Sequence, residues 1–92
     1  MFFVYLIIST NDQPNTYVGY TNNIFKRIIL HNDGKGAKYT KGRFWKLAYF
    51  EKFNSKKVAM KREYALKKDY KFRKTLKNLF KLAYSIKTRN FK

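Results

Sequence analysis

The spacing of apolar residues along the chain follows a strand period at first and a helix period later. Residues 2–9 are rich in β-branched and aromatic side chains, and turn-forming residues follow at positions 11–15. Residues 17–20 alternate again, which places Tyr17 and Gly19 on one face. The pattern predicts a β-hairpin whose second strand carries no side chain at Gly19.

A helical spacing begins after this hairpin. Asn22 and Asn23 offer N-cap side chains, and the apolar residues that follow predict a helix from about Asn23 to Asn32. Gly34 can adopt the left-handed conformation that ends a helix. Residues 34–43 are then basic and glycine-punctuated, which predicts a loop.

The second half of the chain predicts one more strand and two more helices. Residues 44–53 carry apolar side chains on both faces, as expected of a strand in the middle of a small sheet. Asn54 or Ser55 caps a helix over residues 56–68, and a third helix covers residues 70–86. The apolar positions of these two helices are Val58, Ala59, Ala65, Leu66, Phe72, Leu76, Leu79, Phe80 and Ala83.

The predicted fold class is α+β, with a small three-stranded sheet, packed helices and the element order β-β-α-β-α-α. We expect a single domain over residues 1–92, with its core at about 2–86 and a frayed tail at 87–92. A chain of 92 residues can bury roughly 60% of its unfolded surface and fold alone.

The charge of the chain identifies its partner class. Lys and Arg number 22 against 5 Asp and Glu, a net charge of +17. Self-repulsion of this size favours a polyanionic partner, most often nucleic acid and less often an anionic membrane. Nine Phe and eight Tyr argue against a disordered basic tail. No obligate protein partner is evident.

Neither a membrane span nor a secretion signal is expected. The apolar run at residues 2–8 is far shorter than the roughly 20 residues that cross a bilayer. It also lacks the basic region and the cleavage site of a signal peptide. We therefore expect a soluble protein that is cytoplasmic or associated with nucleic acid and is not secreted.

The numbers of Cys and His residues limit which metal ion the chain could bind. The chain has no Cys and a single His, which excludes a thiolate zinc site and a pair of His ligands. A catalytic metal would therefore be bound mainly by oxygen, which favours Mg²⁺ or Mn²⁺.

Polar groups concentrate between Thr16 and His31. Arg27 and His31 are four residues apart on the predicted first helix, so their side chains share a face near the strand that carries Tyr17. Tyr5 lies on the neighbouring strand. Together with Glu63 of the second helix, these residues resemble the GIY-YIG nuclease superfamily.

The resemblance is an ordered set of residues that spans nearly the whole chain, about residues 2–80. It is similar to small single-domain, UPF0213-like members and to the Slx1-type nuclease domain. The matching positions are Phe3-Val4-Tyr5, Tyr17-Val18-Gly19, Arg27, His31, Glu63 and the loop at residues 34–40. Phe3 replaces the first glycine of the motif, whereas the tyrosine that carries the chemistry is retained.

The resemblance implies a metal-dependent endonuclease that hydrolyses phosphodiester bonds, selective for DNA structure. Its implied catalytic residues are Tyr5, Tyr17, Arg27, His31 and Glu63. Of these, Glu63 would hold one Mg²⁺ or Mn²⁺ ion, and Arg27 would face the phosphate oxygens. We expect the nucleic-acid backbone to bind Lys26, Lys38, Lys41, Arg43, Lys74 and Lys77.

Two roles stay open at this stage. Tyr17 is the preferred general base or water-positioning group, although an ordinary phenol has a pKa of about 10 and needs nearby positive charge. His31 either orients the water or relays the phenolic proton.

Each residue also has a structural alternative. The tyrosines could be ordinary strand residues, Glu63 could pair with Lys67, and His31 could interact with the helix dipole. The alternative function is a non-catalytic basic nucleic-acid-binding protein. A membrane-surface module is the weaker third hypothesis, because the aromatic residues are needed for the core.

Overall fold

The computed structural model describes residues 1–11 and 13–90, and the side chains of these residues as far as residue 83. The element order β-β-α-β-α-α confirms the predicted α+β class. The elements are β1 (Phe2–Ser9), β2 (Thr16–Thr21), α1 (Ile24–Asn32), β3 (Trp45–Phe53), α2 (Lys56–Lys68) and α3 (Tyr70–Asn90).

The three strands form an antiparallel sheet in the order β2-β1-β3. The prediction that the third strand lies in the middle is wrong, because β1 is central and β3 is an edge strand. Helices cover both faces of the sheet, so even an edge strand carries apolar residues on both sides. Apolar alternation therefore does not distinguish the centre of this sheet from its edge.

Strand β1 supplies the core on both sides of the sheet. Val4, Leu6 and Ile8 are buried against α2 and α3, with Ala59 and Leu66 of α2. On the opposite face Tyr5 and Ile7 pack with Trp45, Tyr17 and Ile28. Tyr5, which is paired with both Gly19 and Phe50, therefore lies at the centre of the α1 face.

The helix ends follow the predicted capping chemistry. The Asn23 side chain accepts a hydrogen bond from the Lys26 amide at the start of α1, and the Ser55 side chain accepts one from the Val58 amide in α2. After α1, Gly34 adopts a φ of +77°, a conformation that favours glycine. The chain can therefore turn sharply into the basic loop.

Helices α2 and α3 bury less than their apolar spacing predicts. In α2 only Ala59 and Leu66 are buried, whereas Val58 is 50% exposed and Ala65 is exposed. In α3 three predicted positions pack on the sheet and two do not. The packed residues are Phe72, Leu76 and Phe80, and the exposed ones are Leu79 and Ala83.

Helix α3 is also longer than predicted, continuing past Ile86 to Asn90 and into the tail expected at 87–92. Residues 91–92 of that tail lie outside the described residues. A helix of 21 residues is about 32 Å long. This length exceeds the width of a sheet of three strands that are spaced about 4.8 Å apart. Among the described helices, none is both long and apolar enough to cross a bilayer.

Candidate active site

The site begins where β1 and β2 pair at Tyr5 and Gly19. A Cβ atom on Gly19 would lie 2.5 Å from the Tyr5 hydroxyl oxygen and 3.1 Å from the Tyr17 ring. The bare backbone at Gly19 therefore lets the Tyr5 phenol extend across β2 towards Tyr17. The two tyrosine rings lie 6.5 Å apart between centroids. Tyr17 and Gly19 lie on one face of β2, as the strand alternation predicted.

His31 of α1 is fully buried and uses both ring nitrogens. Its Nε2 lies 2.7 Å from the Tyr5 hydroxyl, and its Nδ1 lies 2.8 Å from Thr40 Oγ1. The Thr40 hydroxyl donates its one hydrogen to the Ala37 carbonyl, so it accepts from Nδ1–H. This network assigns the neutral Nδ1–H tautomer to His31, with Nε2 accepting from Tyr5. Because this tautomer is neutral, a charge interaction with the helix dipole does not account for the position of His31.

The loop between α1 and β3 closes over His31. Thr40 is fully buried, and its carbonyl accepts a hydrogen bond from Trp45 Nε1 at 2.9 Å. A Cβ atom on Gly36 would collide with the His31 ring, so glycine is needed there for the loop to approach. Thr40 and Gly36 were not predicted as individual site residues, although the loop at residues 34–40 that carries them resembles the family.

The buried network is electrically neutral at pH 7. Burial, together with the charge of Arg27, lowers the pKa of His31 to about 4. Burial raises the pKa of Tyr5 to about 12, although the positive charge of Arg27 acts in the opposite direction. Neither group is therefore ionised at neutral pH.

Arg27 lies beside this network with part of its hydrogen-bonding capacity unused. One terminal nitrogen donates to the Gly36 carbonyl at 3.2 Å. Its Nε is buried and has no hydrogen-bond partner among the described residues. A guanidinium with an unpaired edge suits an oxygen anion such as phosphate.

Tyr17 is the accessible phenol of the pair. It is half-buried, and its ring contacts that of His31 edge-on at 5.1 Å and stacks on that of Tyr39 at 6.1 Å. In the described part of the chain no hydrogen bond joins Tyr17 to His31. The residue lines a cleft of about 170 Å³ with Thr16, Val18, Lys67 and Arg73.

Glu63 of α2 is the acid whose charge acts on this network. Its negative charge contributes to the raised pKa of Tyr5. The side chain is 22% exposed, and Oε1 lies 3.8 Å from Lys67 Nζ, longer than a charged hydrogen bond. Over the described residues, no group of three or more His, Asp or Glu side chains is placed to hold a metal ion together. One accessible carboxylate still fits Mg²⁺, which binds through one or two carboxylates, water and substrate phosphate.

Four of the six predicted nucleic-acid-binding residues line two separate depressions. Lys38 and Lys41 line a shallow depression of about 410 Å³ in the loop after α1, whereas Lys74 and Lys77 line a narrow cleft beside α3. Arg43 donates to the Tyr39 carbonyl at 2.6 Å, with its guanidinium 5.2 Å from the Tyr39 ring centre. Lys26 is exposed on α1.

A second acid, Glu51, is already hydrogen-bonded to neighbouring side chains. Glu51 of β3 accepts two hydrogen bonds from Arg62, at 2.8 and 2.9 Å, and one from the Tyr49 hydroxyl at 2.5 Å. The hydrogen bond from Arg62 lowers the pKa of Glu51. This pairing was not predicted from the sequence, because the two residues are eleven positions apart on different elements. Glu51 is thus fully engaged by its neighbours.

Comparison with known proteins gives one family match and several similar relatives. The model of the GIY-YIG catalytic domain family matches residues 1–78. A UPF0213 protein of Bacillus licheniformis is 52% identical over 65 residues, covering 70% of this chain and 66% of that protein. A UPF0213 protein of Oceanobacillus iheyensis is 45% identical over 73 residues, covering 78% and 83%.

The solution structure of a UPF0213 protein from Bacillus halodurans is also similar. It is 37% identical in sequence, covers 84% of each chain and has a TM-score of 0.44. The residues matched by the family model include all five positions for which catalytic roles were predicted.

Proposed function

Because the chain belongs to the GIY-YIG catalytic domain family, we propose that it is a metal-dependent endonuclease that cleaves nucleic acid, specifically structured DNA. One arrangement carries the proposal. The accessible Tyr17 phenol lies in a cleft, while a buried network holds Tyr5 and His31 directly behind it. Phosphodiester hydrolysis needs an oriented water molecule and stabilisation of the charge on the phosphate, and Tyr17 and the neighbouring Arg27 offer a group for each.

Tyr17 is the proposed general base or water-positioning group. Its accessibility supports this role, because Tyr5 is only 1% exposed and its proton is held by His31 Nε2. Arg27 is proposed to bind the non-bridging phosphate oxygens through its unpaired Nε edge. Water, phosphate and base would then meet beside the Tyr17 phenol, which lines the cleft.

Tyr5 and His31 are proposed as positioning residues. His31 accepts the Tyr5 hydroxyl hydrogen and donates to Thr40, so it fixes the orientation of the phenol beside Arg27. Both nitrogens of His31 face protein groups, which does not support a direct contact with the attacking water. Nε2 is the atom that would receive the Tyr5 proton.

Glu63 is the residue that would hold Mg²⁺ or Mn²⁺. When bound, the ion would supply charge stabilisation for the phosphate and for the departing oxygen. The loose contact with Lys67 leaves the Glu63 carboxylate available for such a ligand. The basic residues would hold the substrate backbone without reading its bases, and they are Lys26, Lys38, Lys41, Arg43, Lys74 and Lys77.

The test is incubation of the purified protein with labelled branched, flapped, single-stranded and duplex DNA and with RNA. Parallel reactions contain Mg²⁺, Mn²⁺ or a chelator. We expect cleavage of at least one DNA structure that depends on the metal. Binding without cleavage of any substrate would instead favour the non-catalytic nucleic-acid-binding protein.

Binding itself is measured in the same samples across a salt series. Contacts made mainly to phosphates predict a steep fall of affinity with salt and little dependence on base sequence. A flat salt response would contradict the backbone-binding role of the lysines.

A further inference from the structure

We propose that Arg73 of α3 binds a second substrate phosphate, next to the one that is cleaved; this inference rests on the proposed nuclease function. Arg73 Nη1 donates to Thr16 Oγ1 at 3.3 Å, which ties the side chain to the start of β2. Its Nε is buried and has no hydrogen-bond partner among the residues described. The side chain is therefore held in place with one edge unused.

The position of Arg73 connects the candidate active site to the basic surface of α3. It lines the 170 Å³ cleft together with Tyr17 and Lys67. It also lines a second cleft of about 50 Å³ together with Lys74 and Lys77. A strand that leaves the site past Tyr17 along this route therefore meets Arg73 before it meets the lysines.

Among the described residues, no acid compensates the charge of Arg73. Within the described ranges no carboxylate lies within 4.0 Å of its guanidinium, whereas Arg62 is paired with Glu51. A partly buried guanidinium without a counterion is unfavourable, and an anion with two acceptor oxygens would satisfy its planar fork. A phosphate group has that geometry.

A phosphodiester chain is favoured over an isolated anion by the repetition of the same feature. Arg27 and Arg73 each have one terminal nitrogen bound to a protein oxygen and a buried Nε without a partner in the described part of the chain. Tyr17 contacts His31 in the network that Arg27 adjoins, and it shares a cleft with Arg73. Successive phosphates of one strand would occupy both guanidinium groups.

The experiment compares Arg73→Gln with Lys71→Gln, which removes one exposed charge from the same helix outside both clefts. Each protein is titrated with oligonucleotides in which one phosphate at a time is replaced by a neutral methylphosphonate. We expect wild-type and Lys71→Gln proteins to lose about tenfold in affinity when the phosphate beside the cleaved bond is neutral. Arg73→Gln should bind the unmodified strand about tenfold more weakly and respond little to that replacement.

Equal sensitivity of Arg73→Gln and wild type at every linkage would overturn the proposal. If Arg73→Gln fails to fold, Arg73→Lys keeps the charge without the fork. This variant should lose most of the response at that one linkage, and a response like that of wild type again overturns the proposal.

The scan reads binding, so it remains informative without cleavage. In that case a single linkage whose effect vanishes in Arg73→Gln supports the subsite although the catalytic function has failed. If the wild-type protein cleaves but no linkage behaves in this way, the Arg73 subsite is rejected and the proposed nuclease function is retained.

Discussion

The two tyrosines that face each other beside Gly19 occupy opposite surroundings. Tyr5 is 1% exposed, hydrogen-bonded to His31 and raised in pKa to about 12 by burial. Tyr17 is half-buried and lines a cleft that also contains Lys67 and Arg73. The same side chain, on adjacent strands, therefore meets a closed neutral network in one case and an open cationic surface in the other.

This difference suggests a structural role for the Tyr5 side and a ligand-binding role for the Tyr17 side. On the Tyr5 side, the hydrogen-bonding atoms of His31 and Thr40 are already satisfied by protein groups, which fixes geometry. On the Tyr17 side, the buried Nε of Arg73 has no partner among the described residues, which suits a polyanionic ligand. Variants on the two sides should therefore fail in different ways.

The largest expected effect is at Glu63, on the open side. Glu63→Gln preserves side-chain shape but removes the charge that a divalent cation needs. Cleavage should fall about a thousandfold or more, because a bound metal supplies several kcal/mol of charge stabilisation. Affinity for nucleic acid should persist or increase, since one negative charge has been removed. Single-turnover cleavage and equilibrium binding measure the two effects.

The matched control is Glu51→Gln, which changes the acid that is already paired with Arg62. It should reduce stability and leave the metal response of any cleavage intact. A Glu63→Gln protein that cleaves at the wild-type rate would refute the metal assignment.

The next effect compares the tyrosines directly. Tyr17→Phe should reduce hydrolysis about a hundredfold or more, the range of general acid–base groups, with folding and affinity near wild type. Tyr5→Phe should also destabilise the fold by about 1–3 kcal/mol, because it leaves the buried Nε2 of His31 without a donor. Urea unfolding and cleavage rates distinguish the two variants. Equal loss of stability in both would mean that Tyr17 is structural as well.

The sequence predicts this pair of tyrosines better than it predicts their surroundings. Strand alternation and the glycine placed Tyr17 beside Tyr5, because local geometry decides which face a residue occupies. Helix spacing likewise placed Arg27 and His31 on one face. The roles of Thr40 and Arg73 depend on how a loop and a distant helix pack. Thr40 contacts His31 nine residues away, and Arg73 contacts Thr16 57 residues away.

The same limit applies to the sheet order. Apolar residues on both faces of β3 report that both faces are covered, and they carry no information on which strands flank it. β1 is central because both β2 and β3 pair with it, and β3 is separated from it in sequence by β2 and α1.

A smaller effect concerns pH and the closed network. The pKa of His31 is about 4 in the folded protein and about 6.5 when unfolded, so the unfolded chain binds the proton more readily between these values. The stability contributed by neutral His31 is complete above pH 6.5 and falls as pH decreases towards 4. The expected slope is about 1.4 kcal/mol per pH unit.

Urea unfolding at pH 7, 6 and 5 measures this slope, and His31→Gln should remove it. Tyr5 affects the pH dependence of stability at alkaline pH. Its raised pKa means that its contribution is complete below pH 10 and is lost as pH rises towards 12. Stability that does not change between pH 7 and 5 would contradict the burial of a neutral His31.

The smallest expected effect concerns the contact between Lys67 and Glu63. The Nζ–Oε1 distance is 3.8 Å, and the Lys67 side chain is 50% exposed. Exposed pairs at this spacing contribute little, so Lys67→Gln should change the free energy of unfolding by about 0.5 kcal/mol or less. Arg62→Gln should cost more, because it removes a two-point hydrogen bond to Glu51. Urea unfolding of both variants makes the comparison. A loss in Lys67→Gln as large as that in Arg62→Gln would mean that Glu63 is held for the fold, and its availability to a metal ion would then be contradicted by a measurement independent of activity.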